Sequence, residues 1–180
     1  FEINNVDVNG QQVKAWALAP GSLRDVWALA AGHCDKDYLV YQDERWTYAE
    51  AIEEVARIAS WLHANGVKQH DRVAIAMRNY PEWMLCYWAI CSMGAVAVGV
   101  NAWWVAEELK FGLKDSEVKV LIADRERLQR FAEIRDDFPD MLTVAVRVDE
   151  TPAWARPWSE VLAAEPNMPE VTIDPEDDAC

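Results

Sequence analysis

The chain has 180 residues, 52% of them apolar, with ten tryptophans and a formal net charge of −14. That length suffices for one domain with a sizeable core or for one lobe of something larger. The acidity excludes a phosphate-backbone footprint, which needs a basic stripe, so no nucleic-acid partner is expected and the charge reads as solubility.

Residues 1–19 are predicted as a hairpin. Phe1, Ile3, Val6 and Val8 lead into Asn9-Gly10, a dipeptide suited to a type I′ turn, and Val13-Lys14-Ala15-Trp16 returns. Phe1 opens no basic-then-apolar leader, and a first residue other than Met is expected of an expression or proteolytic boundary. After Pro20-Gly21, Ser22 should cap a short helix over 23–31, with Gly32 as its left-handed stop. Residues 38–41 and Arg45-Trp46 flank a turn at Asp43-Glu44, which predicts a second hairpin. Thr47-Tyr48-Ala49-Glu50 is a capping box, in which the hydroxyl and the carboxylate each satisfy an orphan amide. The helix after it carries Ile52, Val55, Ile58, Ala59 and Leu62 at helical spacing and stops at Asn65-Gly66.

From Asp71 the pattern alternates strand and helix. Residues 72–77 form an apolar run of the kind that a doubly covered parallel strand shows. Pro81 suits a first helical turn, and residues 82–93 are apolar on every side, which predicts a helix buried all round. Residues 95–100 read as a second covered strand, 105–114 as a helix, 118–122 as a third strand, 125–137 as a charged amphipathic helix and 142–148 as a fourth strand. This alternation predicts an α/β fold with a mostly parallel sheet and flanking helices. The expected organisation is an α/β subdomain over 1–150 with N-terminal hairpins. A looser docked tail over 151–180 follows, punctuated by Pro152, Pro157, Pro169 and Pro175, with one helix over 159–164.

The seven glycines lie at 10, 21, 32, 66, 94, 99 and 112. Anion cradles need clustered glycines so that backbone N–H groups can approach. Only Gly94 and Gly99 have phosphate-loop spacing; Ala95-Val96-Ala97-Val98 lies between them and Val100 fills the lysine slot. Cys34, Cys86, Cys91 and Cys180 show neither CxxC nor zinc spacing, and are expected to be unpaired buried thiols. His33, His63 and His70 have no triad-like neighbours, and Asp136-Asp137 and Glu176-Asp177-Asp178 read as solvated faces.

Two places stand out as candidate sites. Asn79, Tyr80 and Glu82 follow the first covered strand, where open α/β sheets place ligands; the alternative is that Asn79 caps the next helix and Glu82 favours its positive end. Asn101, Trp103 and Trp104 follow the second strand, where the two indoles either fill the core or line an apolar pocket or interface.

Taken together, several segments resemble the adenylate-forming superfamily, which includes acyl-CoA synthetases, peptide adenylation domains and luciferases. Trp46-Thr47-Tyr48-Ala49-Glu50 is similar to its first short core motif, and Asn65-Gly66-Val67 with Asp71-Arg72-Val73-Ala74-Ile75 to the stretch that follows. Asn79 and Glu82 in Arg-Asn-Tyr-Pro-Glu resemble a family loop, and Gly94-Ala95-Val96-Ala97-Val98 to Asn101 its second core motif. Glu108-Leu109, Asp115-Ser116 and Lys119-Val120-Leu121-Ile122 continue it. Where many members have Pro soon after that Asn, this chain has Ala102-Trp103-Trp104.

The resemblance implies the front portion of the large N-terminal domain of such an enzyme. The family's phosphate loop would follow a segment like 174–180. It implies a parent ligase that activates a carboxylic acid, taken to be a fatty acid, with ATP to an acyl-adenylate and transfers it to coenzyme A. ATP, Mg²⁺ and coenzyme A are then cofactors and substrates of the parent, while this part alone is expected to be inactive. Its expected partners are the remainder of the same chain and further copies of itself. No run reaches the roughly 20 apolar residues of a membrane span, and a cytoplasmic location is expected. The alternation alone also admits a stand-alone α/β binding or interaction module.

Overall fold

The computed structural model describes residues 2–8 and 10–180; Phe1 and Asn9 of the predicted first hairpin lie outside the described residues. Strands β1 (Ile3–Val8) and β2 (Gln11–Trp16) pair antiparallel, with Val8 opposite Gln11. Ser22 caps α1 (Leu23–Ala28), its hydroxyl accepting from the Asp25 amide at 3.1 Å. The helix is shorter than predicted. From Leu29 to His33 the chain tightens to a 3₁₀ turn, and Gly32 lies inside that turn rather than serving as a left-handed stop. Trp27 near the end of α1 and Ala30 in the turn are both buried in the same core.

The second hairpin joins β3 (Asp37–Tyr41) to β4 (Glu44–Thr47). Tyr41 pairs directly with Glu44, so the turn is Gln42-Asp43, one residue earlier than expected, with Gln42 at φ 52°. The capping box forms as predicted at the head of α2 (Tyr48–Ala64). Thr47 Oγ1 accepts from the Glu50 amide at 3.2 Å, and Glu50 accepts from the Thr47 amide at 2.8 Å. Gly66, at φ 88°, ends the helix region.

The main sheet has five strands in the order β6-β5-β7-β8-β9, every neighbouring pair parallel. These are β5 (Arg72–Ala76), β6 (Val96–Gly99), β7 (Val120–Asp124), β8 (Leu142–Val146) and β9 (Arg156–Pro157). Between and after them run α3 (Pro81–Ser92), α4 (Ala106–Asp115), α5 (Arg125–Ile134) and α6 (Trp158–Leu162). The predicted α/β class with a parallel sheet and flanking helices is the observed one. Strand parity splits the core in two. Val73, Ile75, Val120, Ile122, Val144 and Val146 pack with α2 and α3. Ala74, Ala76, Leu121, Ala123 and Ala145 pack with Leu109 and Leu113 of α4 and Leu128, Phe131 and Ile134 of α5.

Several expectations are corrected. The strand β6 is an edge and not a doubly covered strand, so Val96 and Val98 are half-buried and Gly99 is exposed. Its outward Ala97 amide donates to the Ala179 carbonyl at 2.9 Å. Helix α3 is fully buried on one side only; Trp83, Met84, Tyr87 and Trp88 are half-buried beneath α1 and the second hairpin. Trp88 stacks on Trp27 at 5.1 Å and donates to the Tyr38 hydroxyl at 2.6 Å. The third strand begins two residues later than predicted and runs on to Asp124, whose carboxylate caps α5. Strand β9 was not foreseen. Its Pro157 cannot donate to a ladder, which restricts it to an edge. Of the cysteines, Cys86 and Cys91 are buried, but Cys34 is half-buried and Cys180 exposed.

Residues 165–180 have no regular structure and are held by side chains of the body. Arg24 donates to the Pro169 carbonyl at 3.1 Å, and Gln69 Nε2 to the Thr172 carbonyl at 2.9 Å.

Candidate functional site

All strands of the sheet end on one edge, and the loops leaving β5, β6, β7 and β8 meet there. Asn79, Glu82, Asn101, Trp103 and Trp104 all belong to this edge, the usual ligand side of an open parallel sheet.

Asn79 is exposed and does not cap α3; Tyr80 is the N-cap, without a side-chain bond, and Pro81 opens the helix. Pro lacks an N–H, so one orphan donor that a cap would serve is already gone. Asn79 instead lines a cleft of about 170 Å³ with Leu39, Tyr41, Tyr80, Trp83 and Met84.

Glu82 is buried, and both its carboxylate oxygens accept from Arg147 Nε, at 2.9 and 3.0 Å. Arg147 leaves β8 at φ 51°, donates through Nη1 to Glu44 Oε1 at 3.1 Å and lies over the rings of Tyr41 and Tyr80 at 5.1 and 4.9 Å. The hydrogen bond that Arg147 donates to Glu44, reinforced by the one to Glu82, holds Arg147 above the ordinary arginine range, and the same bond lowers the Glu44 carboxyl. A cleft of about 670 Å³ opens beside this pair, lined also by Trp46, Glu54 and Trp158. Burial pushes the Glu54 carboxyl up, partly offset by the bond it accepts from Trp46 Nε1 at 3.1 Å.

The two indoles part company. Asn101 Oδ1 accepts from the Trp103 amide at 2.9 Å, which turns the loop so that Trp103 is 72% exposed. The Arg78 guanidinium lies over its ring at 5.0 Å. Trp104 turns inward against Gly112, where an added Cβ would sit 2.4 Å from Cζ3. It packs against the core formed with α4 and α5.

Beneath the loop, Arg127 Nη1 bonds both oxygens of Asp124 at 3.1 and 2.9 Å. Its Nε and Nη2 hold the Ala102 carbonyl at 3.0 and 2.7 Å, and Arg130 Nη1 holds the same oxygen at 2.7 Å and Trp104 O at 3.0 Å. Asp124 Oδ2 also accepts from the Arg78 amide at 3.0 Å. One buried carboxylate thereby ties together the loops after β5, β6 and β7.

Arg78, Asp124, Arg127, Arg130 and Arg147 were not singled out from the sequence. The usable signal was positional: Asp124 closes one buried run and Arg147 follows another, each at a strand's C-terminal end.

The 94–99 stretch is not a phosphate cradle. Between Gly94 and Gly99 the backbone is committed to the sheet, with Val96 N bonded to Asp71 O at 2.9 Å and Val100 N to Ile75 O at 3.1 Å. The space beside Gly94 is taken by Gln69, 2.9 Å from an added Cβ. Among the described residues no group of three or more His, Cys, Asp or Glu side chains is placed to hold a metal ion. At the opposite end of the sheet, a cleft of about 450 Å³ is lined by Gly66, Lys119, Phe138 and Asp140, none of them a predicted site residue.

Comparison with known proteins accounts for this architecture. The crotonobetaine/carnitine–CoA ligase of Salmonella paratyphi B is 31% identical over 122 residues, 64% of this chain and 24% of that protein. MbtA of Mycobacterium smegmatis superimposes with a TM-score of 0.78 at 26% identity, over 88% of this chain and 30% of that one. A long-chain-fatty-acid–CoA ligase of Archaeoglobus fulgidus shares the fold, with a TM-score of 0.75 at 21% identity over 87% and 33%. The chain spans about a quarter of the length of the curated relatives it matches. Residues 26–180 match the model of the AMP-binding enzyme family, so the parallel sheet, the second hairpin and the motif order have one explanation: the chain belongs to that family.

Proposed function

We propose that this chain is part of a ligase that activates a carboxylic acid with ATP to an acyl-adenylate and passes the acyl group to coenzyme A. The observation that carries the reading is the family match over residues 26–180, joined to relatives that are themselves CoA ligases. Such chemistry needs an anion cradle, Mg²⁺ and cationic groups on developing charge. The described residues supply no such cradle, so these 180 residues alone are proposed to be inactive and to act as scaffold.

At the sheet's C-terminal edge, the Arg78 guanidinium lies over the exposed Trp103 ring. A guanidinium stacked on an indole suits the anionic, ring-bearing nucleotide end of coenzyme A. The acid is proposed to be fatty, in line with the Archaeoglobus fulgidus ligase, while the Salmonella relative favours a carnitine-like acid. Cytoplasmic action is proposed because ATP and coenzyme A are supplied there; no helix among the described residues is long and apolar enough to cross a membrane. Self-association is proposed through exposed Trp103, Val105 and Phe111, strengthening with salt as the net charge of −14 is screened.

Pyrophosphate release by the whole protein, assayed with fatty acids and with carnitine in parallel, tests the reading. Acid-dependent release followed by acyl-CoA formation supports it, and no release with any acid overturns it. Arg78→Ala should raise KM for coenzyme A without changing adenylate formation. Sedimentation of the 180-residue chain at two ionic strengths tests the association, and a monomer at high salt and high concentration would refute it.

A further inference from the structure

Helix α3 presents two cysteines, and they differ in what faces them. Cys86 points into the core and is fully buried. Cys91, 4% exposed, faces the 174–180 segment, and its thiol donates to the Ala179 carbonyl at 3.6 Å. The same carbonyl is fixed from a second side by the Ala97 amide of β6 at 2.9 Å. A single peptide unit separates that oxygen from the Cα of Cys180, so the segment's anchor holds an exposed thiol beside a buried one. Burial pushes the Cys91 thiol up to about 11, partly offset by a hydrogen bond with Tyr87, and the nearby Cys180 adds to the rise.

We propose that Cys91 and Cys180 are a redox modification site, a thiol pair that a low-molecular-weight disulfide such as oxidised glutathione converts to an intramolecular disulfide. Exposure sets the order of events. Cys180 loses its proton to solvent and attacks one sulfur of oxidised glutathione, whose S–S bond breaks and releases one glutathione thiolate. Cys91 then loses its proton and attacks the Cys180 sulfur of the mixed disulfide, releasing the second glutathione. The protein is oxidised by two electrons, one glutathione disulfide is reduced, and two glutathione thiols take up the two protons. The product would staple residues 174–180 to the free edge of β6 and to the end of α3. At rest both thiols stay free, and the carbonyl contact alone holds the segment.

The test treats the protein with oxidised glutathione and counts free thiols under denaturing conditions. Free thiols should fall by two, with no retained glutathione and no change in molecular mass class on non-reducing gels. Fragment spectra of the tryptic peptides should join Cys91 to Cys180; they must resolve the link within the first peptide, because Cys86 shares it. Cys180→Ser, a change at an exposed position, and Cys91→Ser should each abolish the link, while Cys86→Ser should keep it. Hydrogen exchange at the Ala97 amide should slow on oxidation and recover with dithiothreitol. A stable glutathione adduct left on Cys180, a link to Cys34 or Cys86, or a link between two chains would each overturn the proposal.

Discussion

The Arg127 guanidinium holds the backbone carbonyl of Ala102 with two N–H groups, at 3.0 and 2.7 Å, while its third nitrogen is bound to Asp124. Both charged side chains are almost completely buried, at 2% and 4% exposure. Removing Asp124 leaves the buried Arg127 charge with only the exposed Glu126 carboxylate, 3.1 Å from Nη1, to balance it. Asp124→Asn should therefore destabilise the protein by about 3–5 kcal/mol. It should also loosen the loop above: amide exchange at Trp103 and Trp104 should accelerate more than at residues of α2. A urea midpoint equal to the parent's would mean that the pair contributes nothing.

Gly112 lies inside α4, where Ala is normally better by about 1 kcal/mol. Here an added Cβ would sit 2.4 Å from Trp104 Cζ3. The indole cannot retreat without leaving the core, and overpacking of this kind costs about 1–3 kcal/mol. Gly112→Ala should thus destabilise in spite of its helix propensity. A rise in thermal midpoint would show that Trp104 moves freely.

The ends of α2 give two further outcomes that differ in kind. Thr47→Ala removes the hydroxyl that accepts from Glu50 and should cost about 1 kcal/mol. A Cβ added at Gly66 meets no atom within 4 Å, so the penalty of Gly66→Val is chiefly conformational, that of a β-branched residue at φ 88°. It should exceed the Thr47 effect. Urea melts of both variants rank them, and the reverse order would move the source of stability from the C-terminal stop to the cap.

Glu54 has a folded pKa raised by burial above its unfolded value. The folded state then binds the proton more tightly, so the carboxyl's contribution is most favourable below the unfolded pKa and declines as pH rises through the folded one. Glu54→Gln keeps an oxygen for Trp46 and removes the titration. Its stability relative to the parent should improve as pH rises from acid to neutral. A constant difference across that range would show that Glu54 is hydrated.

The capping box, the Asn65-Gly66 stop and the parallel α/β alternation were legible because each rests on local chemistry or on periodicity. The edge position of β6 was not. Ala95-Val96-Ala97-Val98 is as apolar as a central strand, and only the strand order shows that one of its sides lacks a neighbour. Gly32 misled because a glycine after a helical run fits a left-handed stop, whereas tightening at Leu29 had already ended the α-helix. Asn79 and Glu82 lie at the C-terminal edge of the sheet, but the partner of Glu82 lies 65 residues away, beyond any local pattern. Trp103 and Trp104 read as a pair; the Asn101 turn and the bare surface at Gly112 send them to opposite environments.

The two faces of the main sheet are built to different thicknesses. Under α2 and α3, β5, β7 and β8 carry Val73, Ile75, Val120, Ile122, Val144 and Val146; under α4 and α5 they carry Ala74, Ala76, Ala123 and Ala145 beside the larger Leu121. A one-residue slip of β5, β7 or β8 would exchange the two sets, because side chains alternate faces along a strand. The branched residues would then collide with α4 and α5, while the alanines would leave voids below α2 and α3. Misregistration is thereby penalised twice, by crowding on one side and by emptiness on the other, so the composition of the sheet proofreads its own alignment.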